Sequence, residues 1–300
     1  MFFQQLINGI TLGSIYALFA LGYTMVYGIL LMINFAHSEI FMVGAYIGFF
    51  ALTFLPLAIQ DIVPLHLSLV FVSSIVGAGI LAVCVERIAY RKLYGASRLT
   101  PLISAIGVSI FLQNIMQVGV SAQSQPYPYP QSSDIAHFDF FGVQINSLQI
   151  SIFLLAIIAM VALQLFVNRT KLGKAMRATA QNHTVSQLMG INVNLIITMT
   201  FLIGGALGGL AGVLNGMYYG SIKFNMGFFP GLKAFTAAVV GGIGNIKGAM
   251  IGGFLLGIIE AMSVGYISSA YKDVILFAVL ILVLIFRPTG IMGEAVTEKI

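Results

Sequence analysis

No lysine or arginine occurs before Arg87, and from Leu6 to Leu55 the only formally charged side chain is Glu39. Such a run has no charged face to turn toward water. As helix it would extend about 75 Å, enough for two crossings of a bilayer core and a re-entrant piece. The rest of the chain agrees, with 59% hydrophobic and 8% charged residues against about 25% charged in a soluble domain. The solvent is therefore lipid. The opening "MFFQQLINGI" lacks a basic start, and no small-residue cleavage site follows, so it reads as the beginning of a span. A net charge of +5 without a long basic run gives no reason to expect nucleic acid as a partner. The single cysteine, Cys84, excludes an internal disulfide and a Cys-based metal site, and reads as a small packing residue.

Stretches of about 20 apolar residues suit a spanning helix. They run near 6–30, 36–56, 65–85, 101–120, 148–167, 191–214, 249–270 and 272–286, with a shorter Gly-rich candidate at 230–247. The loop 86–100 carries Arg87, Arg91, Lys92 and Arg98, and 168–190 carries Arg169, Lys171, Lys174 and Arg177. The loop 121–147 has Asp134 and Asp139 and no cation. The positive-inside rule puts the first two loops in the cytoplasm and the third outside. The N-terminus then lies outside. Nine crossings satisfy every strong charge signal if 230–247 also crosses, and ten follow if 6–56 makes three passes. The expectation is an all-α polytopic transmembrane helical bundle of about 8–10 spans, with residues 1–300 forming one transmembrane domain.

Glycines recur at helical spacing, as Gly204, Gly208 and Gly212 in one span and Gly248 with Gly252 in another. Helices in lipid associate by close approach, so these read as packing positions. Enzymatic chemistry finds no support. "GGIGNIKG" is neither a P-loop nor G-x-G-x-x-G, and His37, His66, His137 and His183 are scattered too widely for a metal site. No cofactor is expected in this chain.

The stretch 172–189 reads as one helix with a basic start, stopped by Gly190 in a left-handed cap with Ile191 closing a Schellman contact. Two readings stay open, an interfacial helix on the bilayer or a helix docked in a partner's groove. Two acids within spans, Glu39 and Glu260, are functional candidates because intramembrane charge is costly. Interhelical hydrogen bonding is the plain reading of Glu260, and Lys233 reads as a snorkelling residue near a boundary. Pro126, Pro128 and Pro130 make 121–147 an extended external tether or docking surface.

Three segments together carry a resemblance: "GYTMVYGILLMINFAHSEIFMVGAYIG", "LGKAMRATAQNHTVSQLMGINVN" and "GLKAFTAAVVGGIGNIKGAMIGGFLLGIIEA". With the closing "FRPTGIMG", they resemble the permeases of bacterial ABC importers for branched-chain amino acids, most closely the shorter, H-type subunit. The resemblance runs from about residue 5 to 293 and lapses in 120–147. It implies the ABC importer permease fold in a bacterial inner membrane. It further implies a second permease forming a heterodimer with the chain, two cytoplasmic ATPases that bind ATP and Mg, and a periplasmic binding protein that delivers leucine, isoleucine or valine. It also implies an ATPase coupling helix carrying Lys174, Ala175, Arg177, Ala178, Gln187, Met189 and Gly190. Where the family has "NFAHGE", this chain has Ser38. The alternatives are a urea or short-amide permease of the same family, a secondary transporter and a scaffold protein.

"INFAHSE" is then expected to be an unwound stretch at a cavity. "FNMGFFPGLKAFTAAVVGG" (224–242) repeats its order of Asn, aromatic and small residues, which suggests a two-half pseudo-symmetry with the segments meeting at the pathway. The expected pathway residues are Asn34, His37, Glu39, Lys233 and Glu260.

Overall fold

The computed structural model describes residues 1–55, 62–97, 99–128, 137–140 and 143–293. Arg98, Pro130 and Asp134 lie outside the described residues. The helices are α1 (Phe2–Leu30), α2 (His37–Phe54), α3 (Val63–Val85), α4 (Leu99–Gly119), α5 (Ser147–Arg169), α6 (Lys171–Gln181), α7 (His183–Leu188), α8 (Val193–Tyr219), α9 (Phe228–Gly241), α10 (Ile246–Tyr266) and α11 (Lys272–Phe286). A π turn at Glu86–Tyr90 and a 3-10 turn at Arg91–Leu93 prolong α3. Two short antiparallel pairs complete the order, β1 (Gln125–Pro126) with β4 (Ser221–Ile222) and β2 (His137–Phe140) with β3 (Val143–Asn146).

Contacts between loops sort the helix ends into two sets. Gln4 exchanges two hydrogen bonds with the Gln144 backbone, each 2.9 Å long, and β1 pairs with β4. The start of α1, the loop after α4 and the end of α8 therefore share the side that the charge pattern makes external. On the opposite side, His183 reaches the Ile29 carbonyl near the end of α1. The last turns, through Ile291 and Met292, bond to the carbonyls of Val240 and Gly241.

Among the described residues, seven helices are long and apolar enough to cross a membrane. The candidate 230–247 forms α9, only 14 residues or about 21 Å, short of a roughly 30 Å hydrocarbon core. Turns at 224–227 bring the chain in from the external edge before α9 begins. Glycines at positive φ, Gly242 and Gly244, end it. The span expected at 191–214 runs five residues further, to Tyr219, because its small residues remain buried against neighbouring helices.

The long helix α1 is buried almost all round, as expected of an apolar helix without a polar face that forms a bundle core. It meets α10 so closely that a Cβ on Gly13 would lie 2.7 Å from the Phe254 Cα. Of the glycines marked in the sequence, Gly204 backs on Gly22, Gly208 on the His37 ring, Gly212 on the Phe41 carbonyl, Gly248 on Gly241 and Gly252 on the Ala237 carbonyl. Among the seven long apolar helices, α4 and α5 are the least buried.

The single helix expected over 172–189 is two. Asn182 adopts φ −162 between α6 and α7, and its side chain accepts from Val185 N to cap α7. Asn prefers this cap role to a helix interior, which is the physical reason for the elbow. Thr170 caps α6 through Gly173 N. Gly190, at φ +80, ends α7. Gly190 N bonds Gln187 O and Ile191 N bonds Ser186 O, the paired bonds of a Schellman stop.

Candidate functional site

The break between α1 and α2 sets the geometry. Leu31, at φ 52, turns the chain out of α1. The His37 ring then lies against Gly22, eight residues before the helix end, or about 12 Å back along α1. Residues 31–36 thus fold back into the bundle, and α2 starts at depth. Only these residues are unwound. His37, Ser38 and Glu39 form the first turn of α2, so the expected unwound segment is shorter than "INFAHSE". Ser38 sits in ordinary helical backbone, where a glycine's freedom is not needed. Its hydroxyl bonds the Phe35 carbonyl and Glu39.

Glu39 is fully buried. Its Oε1 accepts from Gln113 Nε2 at 2.8 Å, Ser109 Oγ at 3.0 Å and Ser38 Oγ at 3.1 Å. Charge-assisted bonds of this kind contribute about 1.5–3 kcal/mol each, which offsets much of the burial cost. The other oxygen, Oε2, has no hydrogen-bond partner and faces Gly227, where a Cβ would lie 3.3 Å away. Gly227 is the N-cap residue of α9. Two helix N-termini, that of α2 and that of α9, therefore converge on one carboxylate, and both dipoles favour its negative charge. The two segments matched in sequence do approach each other.

Beside this junction lies a cavity of about 560 Å³, within the range of small-molecule sites. Ser38, Ser109, Gln113 and Asn225 supply its polar wall, while Phe35, Ile106, Ile110, Phe228 and Leu232 supply an apolar one. Three of the four polar groups are hydrogen-bonded to Glu39 or adjoin it. Ile110 and Phe228 are 55% and 48% exposed, so the cavity is open along α4 and α9.

The other expected residues divide. Asn34 accepts the Tyr90 hydroxyl at 2.7 Å and anchors the break to the end of α3. His37 is buried among Phe19 and Tyr23. Neither lines the cavity. Lys233 is not a snorkelling residue. It is 5% exposed, and its Nζ lies 2.7 Å from Glu260 Oε1 and 2.8 Å from Asp273 Oδ1. The hydroxyl of Tyr16 donates to Glu260 Oε2 at 2.7 Å, giving Glu260 the interhelical bonds expected of it. Lys233 and Glu260 form a second cluster, apart from Glu39. Tyr16 contacts the second cluster and Tyr23 lines the cavity beside the first, and these two residues of α1 are two turns, about 10.5 Å, apart.

A third buried acid escaped the sequence reading. Glu86 is fully buried, and the Arg91 guanidinium grips both its oxygens at 2.9 and 3.0 Å. Tyr94 and Thr198 donate to it as well. Burial, and then the Glu86 carboxylate, push the Tyr94 phenol up, so it stays a donor. Its place beside the basic loop disguised it. Ser109 and Gln113 also went unremarked, although their i, i+4 spacing in an apolar span was a usable signal. On the elbow between α6 and α7, Val185, Leu188 and Met189 are exposed together, with Leu188 at 82% and Met189 at 77%. Lys174 and Arg177 are exposed on α6, Ala175 and Ala178 are half-buried, and Gln187 lines a separate cavity under the elbow.

The family described as "Branched-chain amino acid transport system / permease component" matches residues 5–284. The chain is 50% identical over its full length to the high-affinity branched-chain amino acid transport system permease protein BraD of Pseudomonas aeruginosa, covering 98% of that protein. It is 46% identical over its full length to the corresponding LivH protein of Escherichia coli, again covering 98%. A probable branched-chain amino acid transport permease protein LivH of Methanocaldococcus jannaschii is 30% identical over 95% of this chain and 91% of that one.

Proposed function

The chain belongs to the permease family of branched-chain amino acid transport systems, and we propose that it forms one half of the membrane pathway of an ATP-driven importer for leucine, isoleucine and valine in a bacterial inner membrane. One observation carries this reading: a cavity with one polar and one apolar wall stands beside the convergence of two helix N-termini on Glu39. A branched aliphatic side chain suits the wall of Phe35, Ile106, Ile110 and Leu232. The charged backbone end of an amino acid suits Ser109, Gln113 and Asn225. Broken helices that meet inside the membrane provide polar backbone only where protein or cargo covers it.

The opening along α4 and α9 calls for a second permease chain to close the cavity. The exposed apolar tip of α7, with Lys174 and Arg177 beside it, suits the groove of a cytoplasmic ATPase, which would hold ATP and Mg. An external binding protein would deliver the cargo on the face formed by β1 and β4.

Gentle solubilisation of the tagged chain from its native membrane tests the assembly. Recovery of a second permease and a Walker-motif ATPase at fixed stoichiometry is the expected result. Recovery of this chain alone, still concentrating solute on an ion gradient, would sink the reading. For the cavity, Gln113→Leu should lower leucine uptake at least about tenfold with the complex intact, since a buried Glu39 that loses a charge-assisted bond worth about 1.5–3 kcal/mol no longer holds the polar wall. Unchanged uptake would move the pathway elsewhere.

A further inference from the structure

A second cavity, of about 430 Å³, lies on the external side, where Ser124 of the loop and Ser221 of β4 form part of its rim. Its floor is ionic. Lys223, Lys233, Lys272 and Asp273 line it, and Glu260 lies directly behind Lys233. Three lysines against two carboxylates leave one positive charge in excess. The charges are also sorted. Lys233 is fixed between Glu260 and Asp273, whereas Lys272 stands off at 3.7 Å from Glu260 with a third of its side chain exposed. Asp273, 39% exposed, turns one face to the basin. Among the described residues, Phe229 alone lines both this basin and the larger cavity beside Glu39. The ring is 57% exposed and packs edge-on against Phe228.

We propose that the basin is the external antechamber of the pathway: it binds an α-amino acid as its zwitterion, carboxylate on Lys272 and Lys223 and ammonium on Asp273, and Phe229 is the partition through which the cargo passes to the larger cavity. This rests on the importer reading above. Two features support it. The ion-paired groups, Lys233 and Lys272 with Glu260 and Asp273, balance one another, and the exposed Lys223 adds one further positive charge to an open basin. Its spare groups, moreover, have the two signs that a zwitterion presents. A cleft lined by one excess sign also concentrates ligands of the opposite sign. The inference differs from the cavity reading because no residue bonded to Glu39 takes part.

The test uses the whole transporter in right-side-out membrane vesicles with Cys84→Ser as background. Met226→Cys reports on the basin, and Ile106→Cys reports on the cavity beside Glu39. The probes are an anionic sulfonatoethyl and a cationic trimethylammonium-ethyl methanethiosulfonate, added outside. The anionic reagent should modify Met226→Cys about tenfold faster than the cationic one. Adding Lys272→Gln should shrink that preference. Leucine supplied with its binding protein should slow modification. Equal rates for the two reagents, or no protection by leucine, would overturn the antechamber. Protection at Ile106→Cys without protection at Met226→Cys rejects the basin and keeps the importer cavity, and the converse pattern rejects the cavity alone. Should Met226→Cys fail to assemble, Ser124→Cys samples the same basin from the loop and is read in the same way.

Discussion

His183 Nε2 lies 2.8 Å from the carbonyl oxygen of Ile29. That contact ties the second helix of the elbow to the last turn of α1, immediately before the chain breaks at Leu31 and folds back to Ser38 and Glu39. The contact is thus adjacent to the break, and α2 begins just beyond it with Ser38, one of the four polar groups that line the cavity.

Replacing His183 by Leu should weaken this link without disturbing the caps on Thr170 and Asn182. Transport is expected to fall roughly 2- to 10-fold, the equivalent of one net hydrogen bond of about 0.5–1.5 kcal/mol. ATP hydrolysis by the complex should persist. The ratio of leucine moved to ATP consumed is the measurement, and an unchanged ratio would remove α7 from the coupling route.

Gly190 stops α7 at a positive φ with an N–H bonded to Gln187. Gly190→Pro can supply neither, so the Schellman stop is lost and Leu188 and Met189 are re-aimed. The ATPase should fail to co-purify while membrane insertion stays normal. Gly190→Ala, with open space around its Cβ, has only the left-handed backbone to pay for, about 1 kcal/mol, and should retain most of the ATPase.

The Lys233–Glu260 pair predicts a mutant cycle. Lys233→Met strands Glu260 in the bundle with Lys272 at 3.7 Å as its nearest remaining cation, and should destabilise by about 3–5 kcal/mol. The double variant Lys233→Met, Glu260→Leu should recover most of that loss, because two apolar groups replace two buried charges. Thermal unfolding of the solubilised complex measures both. Additive losses would show that the two residues do not act as a pair.

Close contact between α1 and α10 is testable through Gly13. Gly13→Val forces the helices apart against backbone and should cost about 1–3 kcal/mol. Gly107→Ala on exposed α4, with nothing within 4 Å of its Cβ, should be neutral or stabilising by about 0.5–1 kcal/mol. Equal effects at the two sites would mean that the α1–α10 spacing is not limited by glycine.

Much of this molecule was legible from local sequence, and its errors have local causes. The cap residues Asn182 and Thr170 stand in the sequence, but a run of good helix formers outweighs them and the stretch reads as one helix. The break before α2 was anticipated from Asn34, His37 and Glu39. Its unwound part is Leu31–Ala36, because a carboxylate is favoured within a helix's first turn and Glu39 occupies that turn. Lys233 was assigned to the boundary because a lone lysine in lipid is costly. Its two acids come from α10 and α11, beyond the reach of any local window.

Residence in the membrane and helical class follow from the sequence alone, since transfer energies are sums over residues that do not depend on which helix faces which. The pairing of Glu39 with Ser109 and Gln113, the burial of Glu86 under Arg91 and the sharing of Phe229 by two cavities were decided only by tertiary structure. Each depends on the rotation and depth of one helix against another. In lipid that choice is made by close packing and by satisfying buried polar groups, both properties of pairs of surfaces and not of any one stretch of chain.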